Sequence, residues 1–188
     1  MKYSYIIPWL FLTLSLTCFS QVKPEREHRI KKSQFPSIEL DVLALADAKN
    51  LKYYKEVDSS KTTFIMKFRQ KKIHYHIDFN EKGAIQNTGF KVNEVDIPTD
   101  TYAQIDSFLK ENFKNIKIKY IQQRYPGTSE NVMKNTFQNL MMPNNTYKLM
   151  FSGKKADKKE DFIAIFDAEG NLKNIALALP ANYDRVLY

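Results

Sequence analysis

Cysteine, histidine and glycine are all scarce in this chain, which holds one, three and five of them in 188 residues. The single cysteine, Cys18, lies in MKYSYIIPWLFLTLSLTCFS, where Lys2 precedes an apolar run and small residues precede Gln21. That pattern is expected of an export signal, residues 1–20, cleaved before Gln21. The apolar run is shorter than the roughly 20 residues that a lasting membrane span needs. A chain starting at Gln21 holds no cysteine, which excludes disulfides and thiol catalysis from it. A lipid anchor on Cys18 is disfavoured, because Ser15, Leu16 and Thr17 put the leucine one place too close. The expectation is an exported protein, periplasmic or secreted, with no transmembrane span once the signal is removed. So few glycines leave no phosphate-cradling loop, and no G-x-S-x-G elbow occurs either. Acidic residues are also in deficit, 21 against 29 basic ones, for a net charge of +8. The lysines read as scattered and no nucleic-acid motif accompanies them, so a solvated basic surface is expected and a nucleic-acid partner is not.

What is present is periodicity. Residues 21–34, QVKPEREHRIKKSQ, have no apolar period and are expected to be a flexible charged leader. From Ser37 to Asn50 the apolar residues Ile38, Val42, Leu45 and Ala46 fall at helical spacing. A second helix is expected in IPTDTYAQIDSFLKENF, where Tyr102, Ile105, Phe108, Leu109 and Phe113 form one stripe. Similar segments follow each helix. AKNLKYYKEV matches FKNIKIKYIQ 65 residues later, TFIMKFRQKK matches TYKLMFSGKK at 83, and HYHIDFNEKG matches DFIAIFDAEG at 87. The rising separations imply an insertion in the later unit and a lengthened hairpin. Gly83 and Gly170 close the two matching turns, where positive φ is favoured.

The chain therefore divides into a first unit, residues 35–97, a second unit, 98–179, with its insertion at about 122–144, and a tail, 180–188. The expected fold class is α+β: two tandem helix-strand-strand-strand units sharing one antiparallel sheet, both helices on one face, with an inserted helix in the second unit. A helix opening with Pro-Thr, strands of the type NIKIKYI and TYKLMF, and a strand ending in FDAEGNLKNI resemble PepSY-like domains of exported bacterial proteins, which are likened to β-lactamase inhibitor proteins. The resemblance covers residues 35–179. It implies an envelope or secreted location and a binding or inhibitory role, and it brings no catalytic residues with it.

The chemistry candidates are few. His74, His76 and Asp78 stand at alternate positions of KKIHYHIDFNEKG, a spacing that some hydrolases use to hold zinc. In a strand they share one face with Lys72 and Asn80, opposite Ile73, Tyr75, Ile77 and Phe79. A zinc hydrolase needs three protein ligands and an open position, and the third histidine, His28, sits in the leader. The expectation is an ordinary solvent-facing polar strand, with no metal, cofactor or catalytic group. KKADKKED, Lys154 to Asp161, reads as a charged hairpin tip. In the insertion, Met133, Phe137, Leu140 and Met141 form an amphipathic stripe within a helix near Ser129 to Met141. The run FIAIF is apolar on both faces, so this helix is expected to cover the outer sheet face, burying Ile163, Ile165 and Met150 against Met133, Phe137 and Met141. Those six residues are also the candidate binding surface. If the helix stands elsewhere, the isoleucines become the expected partner patch. The expected function is a non-catalytic binding module for a protein, peptide or envelope component. The alternatives are a metal-handling protein or metalloenzyme using His74, His76 and Asp78, and a structural envelope protein.

Overall fold

The computed structural model describes residues 26–37, 47–57 and 61–178. Nine strands follow one another as a meander: β1 Arg26–Ile30, β2 Lys49–Val57, β3 Thr62–Gln70, β4 Ile73–Phe79, β5 Ile85–Val92, β6 Lys114–Pro126, β7 Thr146–Lys155, β8 Lys158–Phe166 and β9 Leu172–Leu177. They form one sheet whose spatial order is the sequence order, and every neighbouring pair is antiparallel. Among the described residues two α-helices accompany it, α1 Thr99–Asn112 and the short α2 Val132–Phe137.

Strict alternation makes this sheet. Phe64, Met66 and Phe68 of β3, Tyr75, Ile77 and Phe79 of β4, Leu149 and Phe151 of β7, and Phe162, Ala164 and Phe166 of β8 all turn inward to one continuous core. Helix α1 lays Ile105 and Leu109 into that core, and its Phe108 ring meets Phe166 with centroids 5.6 Å apart. Helix α2 lies on the same inner face, where Phe137 is 5.1 Å from the Tyr75 ring.

These findings correct the expected α+β class, because the molecule is largely one nine-stranded antiparallel sheet with little helix. Each expected unit was assigned three strands, but β5 and β9 add a fourth to each half after the Asn80–Gly83 and Asp167–Gly170 turns. Residues 26–30, in the stretch expected to be a flexible leader, form edge strand β1 against β2. The first expected helix falls mostly on 38–46, outside the described residues, and its last two residues already belong to β2. The inserted helix, expected near Ser129 to Met141, is six residues long, and the first part of the insertion, 122–126, prolongs β6 along β5. Asn131 and Asn139, at φ 53° and 52°, bracket what remains of it.

Matched sequence positions share backbone geometry. Asn50 and Asn115 both sit at bulges with φ near 58° and 53°. Gly83 and Gly170 close their turns at φ 79° and 92°. The β3–β4 and β7–β8 hairpins each turn on two residues with positive φ, Lys71 and Lys72 in one and Ala156 and Asp157 in the other, the arrangement that suits the twist of paired strands.

Candidate functional site

Neither described helix lies on the outer face of the sheet, so its chemistry is set by side chains alternate to the core positions. At its middle, Lys67, His76, Gly89 and Arg124 are consecutive partners across β3, β4, β5 and β6. Gly89 is what admits the histidine. A Cβ at that position would stand 2.6 Å from His76 Cε1 and closer still to the Gln123 carbonyl oxygen, so the imidazole lies over bare backbone. Two residues further along β4, Asp78 is paired with the Arg124 guanidinium. Lys67 reaches Glu27 of β1 at 2.7 Å, and its ammonium lies 5.0 Å from the Tyr54 ring centroid.

This corrects the expected solvent-facing strand. His76 and Asp78 are only 5% and 6% exposed, while His74 is exposed. Burial pushes the His76 pKa down to about 3 despite the opposing Asp78 charge, so the ring is neutral at pH 7. Burial works to raise Asp78, but the Arg124 guanidinium, by its charge and its hydrogen bond, leads the groups that outweigh it and hold the carboxyl below its usual range. Among the described residues, His76 Nε2 has no hydrogen-bond partner.

Beside His76 the face dips into a cavity of about 80 Å³. Lys52, Lys67, Arg69 and Lys91 line it with both imidazoles of β4, the Tyr54 and Tyr120 rings and Gln122, and no carboxylate is among the lining residues. Burial, then the Arg69, Lys91 and Lys52 charges, push the His74 pKa down, which reports the positive field there. A second hollow shares Asn50 and Arg69 with the first and adds Lys49, Lys71 and Lys72, with Asp47 as its one acid. The lysines that read as scattered in sequence are therefore brought together at this corner of the sheet.

For a metal the arrangement is poor. Among the described residues no three His, Cys, Asp or Glu side chains converge, and Asp78 is already engaged by Arg124. The residues present suit anions better than cations.

The six residues expected to make a binding surface lie on opposite sides of the sheet. Met133 and Phe137 pack on the inner core, and Phe137 lies 6.4 Å from Phe68 as well as against Tyr75. The adjacent Thr136 hydroxyl meets Thr88 of β5. Met141 is 51% exposed, with its sulfur 3.8 Å from the Tyr147 hydroxyl. On the outer face Met150 is buried, while Ile163 and Ile165 are half-buried. The covering helix is therefore a correction. The inner aromatic surface of Phe68 and Tyr75 takes the Phe137 ring, and the outer isoleucines stay out of its reach. Sequence reasoning missed Gly89 and Arg124. The available signal was a glycine inside a strand pattern, which marks a close approach by another group.

No protein-family model and no curated protein matches the chain. Among solved structures it is similar to DUF2874 family proteins from Bacteroides ovatus and Bacteroides uniformis. The first likeness has 10% identity and TM-score 0.47, covering 71% of this chain and 79% of that one. The second has 7% identity and TM-score 0.48, covering 72% and 86%. A BLIP-like protein from Bacteroides fragilis is similar at 9% identity and TM-score 0.45, covering 77% and 89%. Among the described residues no helix is long and apolar enough to cross a membrane.

Proposed function

We propose that this is an exported, non-catalytic binding module whose partner, a protein or peptide of the envelope or its surroundings, sits on the outer face of the sheet over the β2–β6 half. The observation that carries this reading is the cation-lined, carboxylate-free cavity at that place. A solvated basic surface leaves its lysines spread over open water. Here they come from three strands to one depression, next to a buried imidazole with an unused nitrogen. The apolar outer patch is the weaker candidate, because Met150 is already buried and the two isoleucines are half covered. Export rests on the signal-like residues 1–20, and the resemblance of the later motifs to PepSY-like domains agrees with a binding role. The shared geometry of Asn50 with Asn115 and of Gly83 with Gly170 supports reading the halves as tandem repeats.

A photo-crosslinking residue placed at Lys91, on the outer face, or at Ser107, on the exposed side of α1, tests the reading in envelope extract. Crosslinks from position 91 and none from 107 are expected. Crosslinks from 107 alone, or equally from both, would move the partner off the outer face.

A further inference from the structure

We propose that the outer-face cavity seats a side-chain carboxylate of an acidic, extended peptide segment, and that the adjoining lysine hollow takes a second acidic residue of the same segment. The inference rests on the reading of the outer face as the binding surface and names the chemistry it recognises. The first seat gathers Lys52, Arg69 and Lys91, with Lys67 beside them already paired to Glu27, around about 80 Å³, a space suited to one small anionic group. His76 lines it, is 5% exposed, and carries the Nε2 with no partner. In the neutral tautomer protonated at Nε2, that nitrogen donates a hydrogen bond to a carboxylate oxygen. A buried polar atom left unmatched costs roughly 1–3 kcal/mol, and a bound carboxylate removes that cost.

The second seat, at Lys49, Lys71 and Lys72, is joined to the first through Asn50 and Arg69. From the Lys67–His76 pair to the Gln70–Ile73 pair is three residues along the strands, or roughly 10 Å at about 3.4 Å per residue. Acidic residues two to four apart in an extended chain span roughly 7–14 Å on the same rise, which brackets that separation. A lone inorganic anion fills one seat only. A flat anionic bilayer meets the exposed lysines but cannot reach a histidine on the floor of the face, so the two-seat geometry favours a peptide over a membrane.

Fluorescence anisotropy with the purified full chain tests this. The probe is a labelled ten-residue peptide with glutamates at alternate positions, and its control carries glutamine at each of them. The glutamate peptide should bind at least tenfold tighter than the control. Its affinity should fall as salt rises, and Arg69→Glu or Lys91→Glu should weaken it tenfold or more with an unchanged melting temperature. Both are exposed side chains, and their replacement leaves the core intact. Equal binding of the two peptides, or indifference to both charge reversals, would overturn the proposal. Inorganic phosphate binding as tightly as the peptide would reduce the site to a small-anion seat. Binding to phosphatidylglycerol vesicles without any binding of peptide would give the lysines to a membrane, and either result removes the acidic peptide. If crosslinks from position 91 persist while the charge reversals change nothing, the outer-face reading stands and the carboxylate seat alone falls.

Discussion

The two halves of the outer sheet face solve one packing problem in opposite ways. Over β2–β6 the central side chains are Tyr54, His76, Asp78 and Arg124, a polar set buried around an ion pair. Over β7 and β8 the corresponding rows carry Met150, Ile163 and Ile165, and the charges stay at the margin, where Lys119 meets Asp161 at 2.5 Å and Ser152 also bonds that carboxylate at 2.6 Å. Aliphatic burial stabilises without needing a partner, whereas burying a charge is costly unless it is matched. The β2–β6 half therefore carries a buried polar arrangement that the rest of the fold has no need of, and such departures from plain packing are where function is expected.

The comparison sharpens most at the ion pairs. Arg124→Ala leaves Asp78 buried and unmatched and should cost about 3–5 kcal/mol in urea unfolding. If the loss were below 1 kcal/mol, the pair would not be buried in the sense described here. Gly89→Ala comes next. Its Cβ would collide with the His76 ring and the Gln123 carbonyl, and a loss of about 3 kcal/mol is expected. No comparable glycine approaches an outer-face side chain over β7 and β8.

A smaller effect is the pH dependence of stability. The His76 pKa falls from the unfolded value near 6.5 to about 3 in the fold. Between those values the unfolded chain binds more protons, so stability is fully present above about pH 6.5 and declines as pH falls. The slope from one group reaches at most about 1.4 kcal/mol per pH unit. His76→Gln should flatten this decline over pH 4–6, the window above the carboxylate range. An unchanged profile would mean that the ring is not held neutral. Smallest is Lys119→Ala, since that pair is partly exposed and such pairs contribute about 1 kcal/mol or less. A loss approaching that of Arg124→Ala would erase the distinction between the halves.

Much of the fold was legible because alternation is a local signal. Phe64-Met66-Phe68 and Tyr147-Leu149-Phe151 announce strands wherever they stand, and Gly83 and Gly170 announce the turns behind them. The stripe of Ile105, Phe108 and Leu109 likewise gave α1. The class failed because β5 and β9, which lack that alternation, were not assigned: β5 carries Gln86, Asn87 and Thr88 in succession, and Leu172–Leu177 is almost wholly exposed. The site was less legible. His74, His76 and Asp78 were visible, but burial of two of them depends on Gly89, 13 residues from His76, and on Arg124, 46 residues from Asp78. The face taken by Phe137 was equally hidden, because periodicity shows that a stripe is apolar and not which surface receives it.

The central claim is that ligand recognition belongs to the polar half of the outer face. Its most direct test is an NMR titration of the protein with the glutamate peptide. The account predicts that amide signals around Asn50–Tyr54, Lys67–Arg69, His74–His76 and Lys91 move, that those of Ile163 and Ile165 stay still, and that the His74 pKa rises as carboxylates offset the Arg69, Lys91 and Lys52 charges that now depress it. Shifts centred on Met150, Ile163 and Ile165, or on α2, with the His74 pKa unmoved, would contradict it.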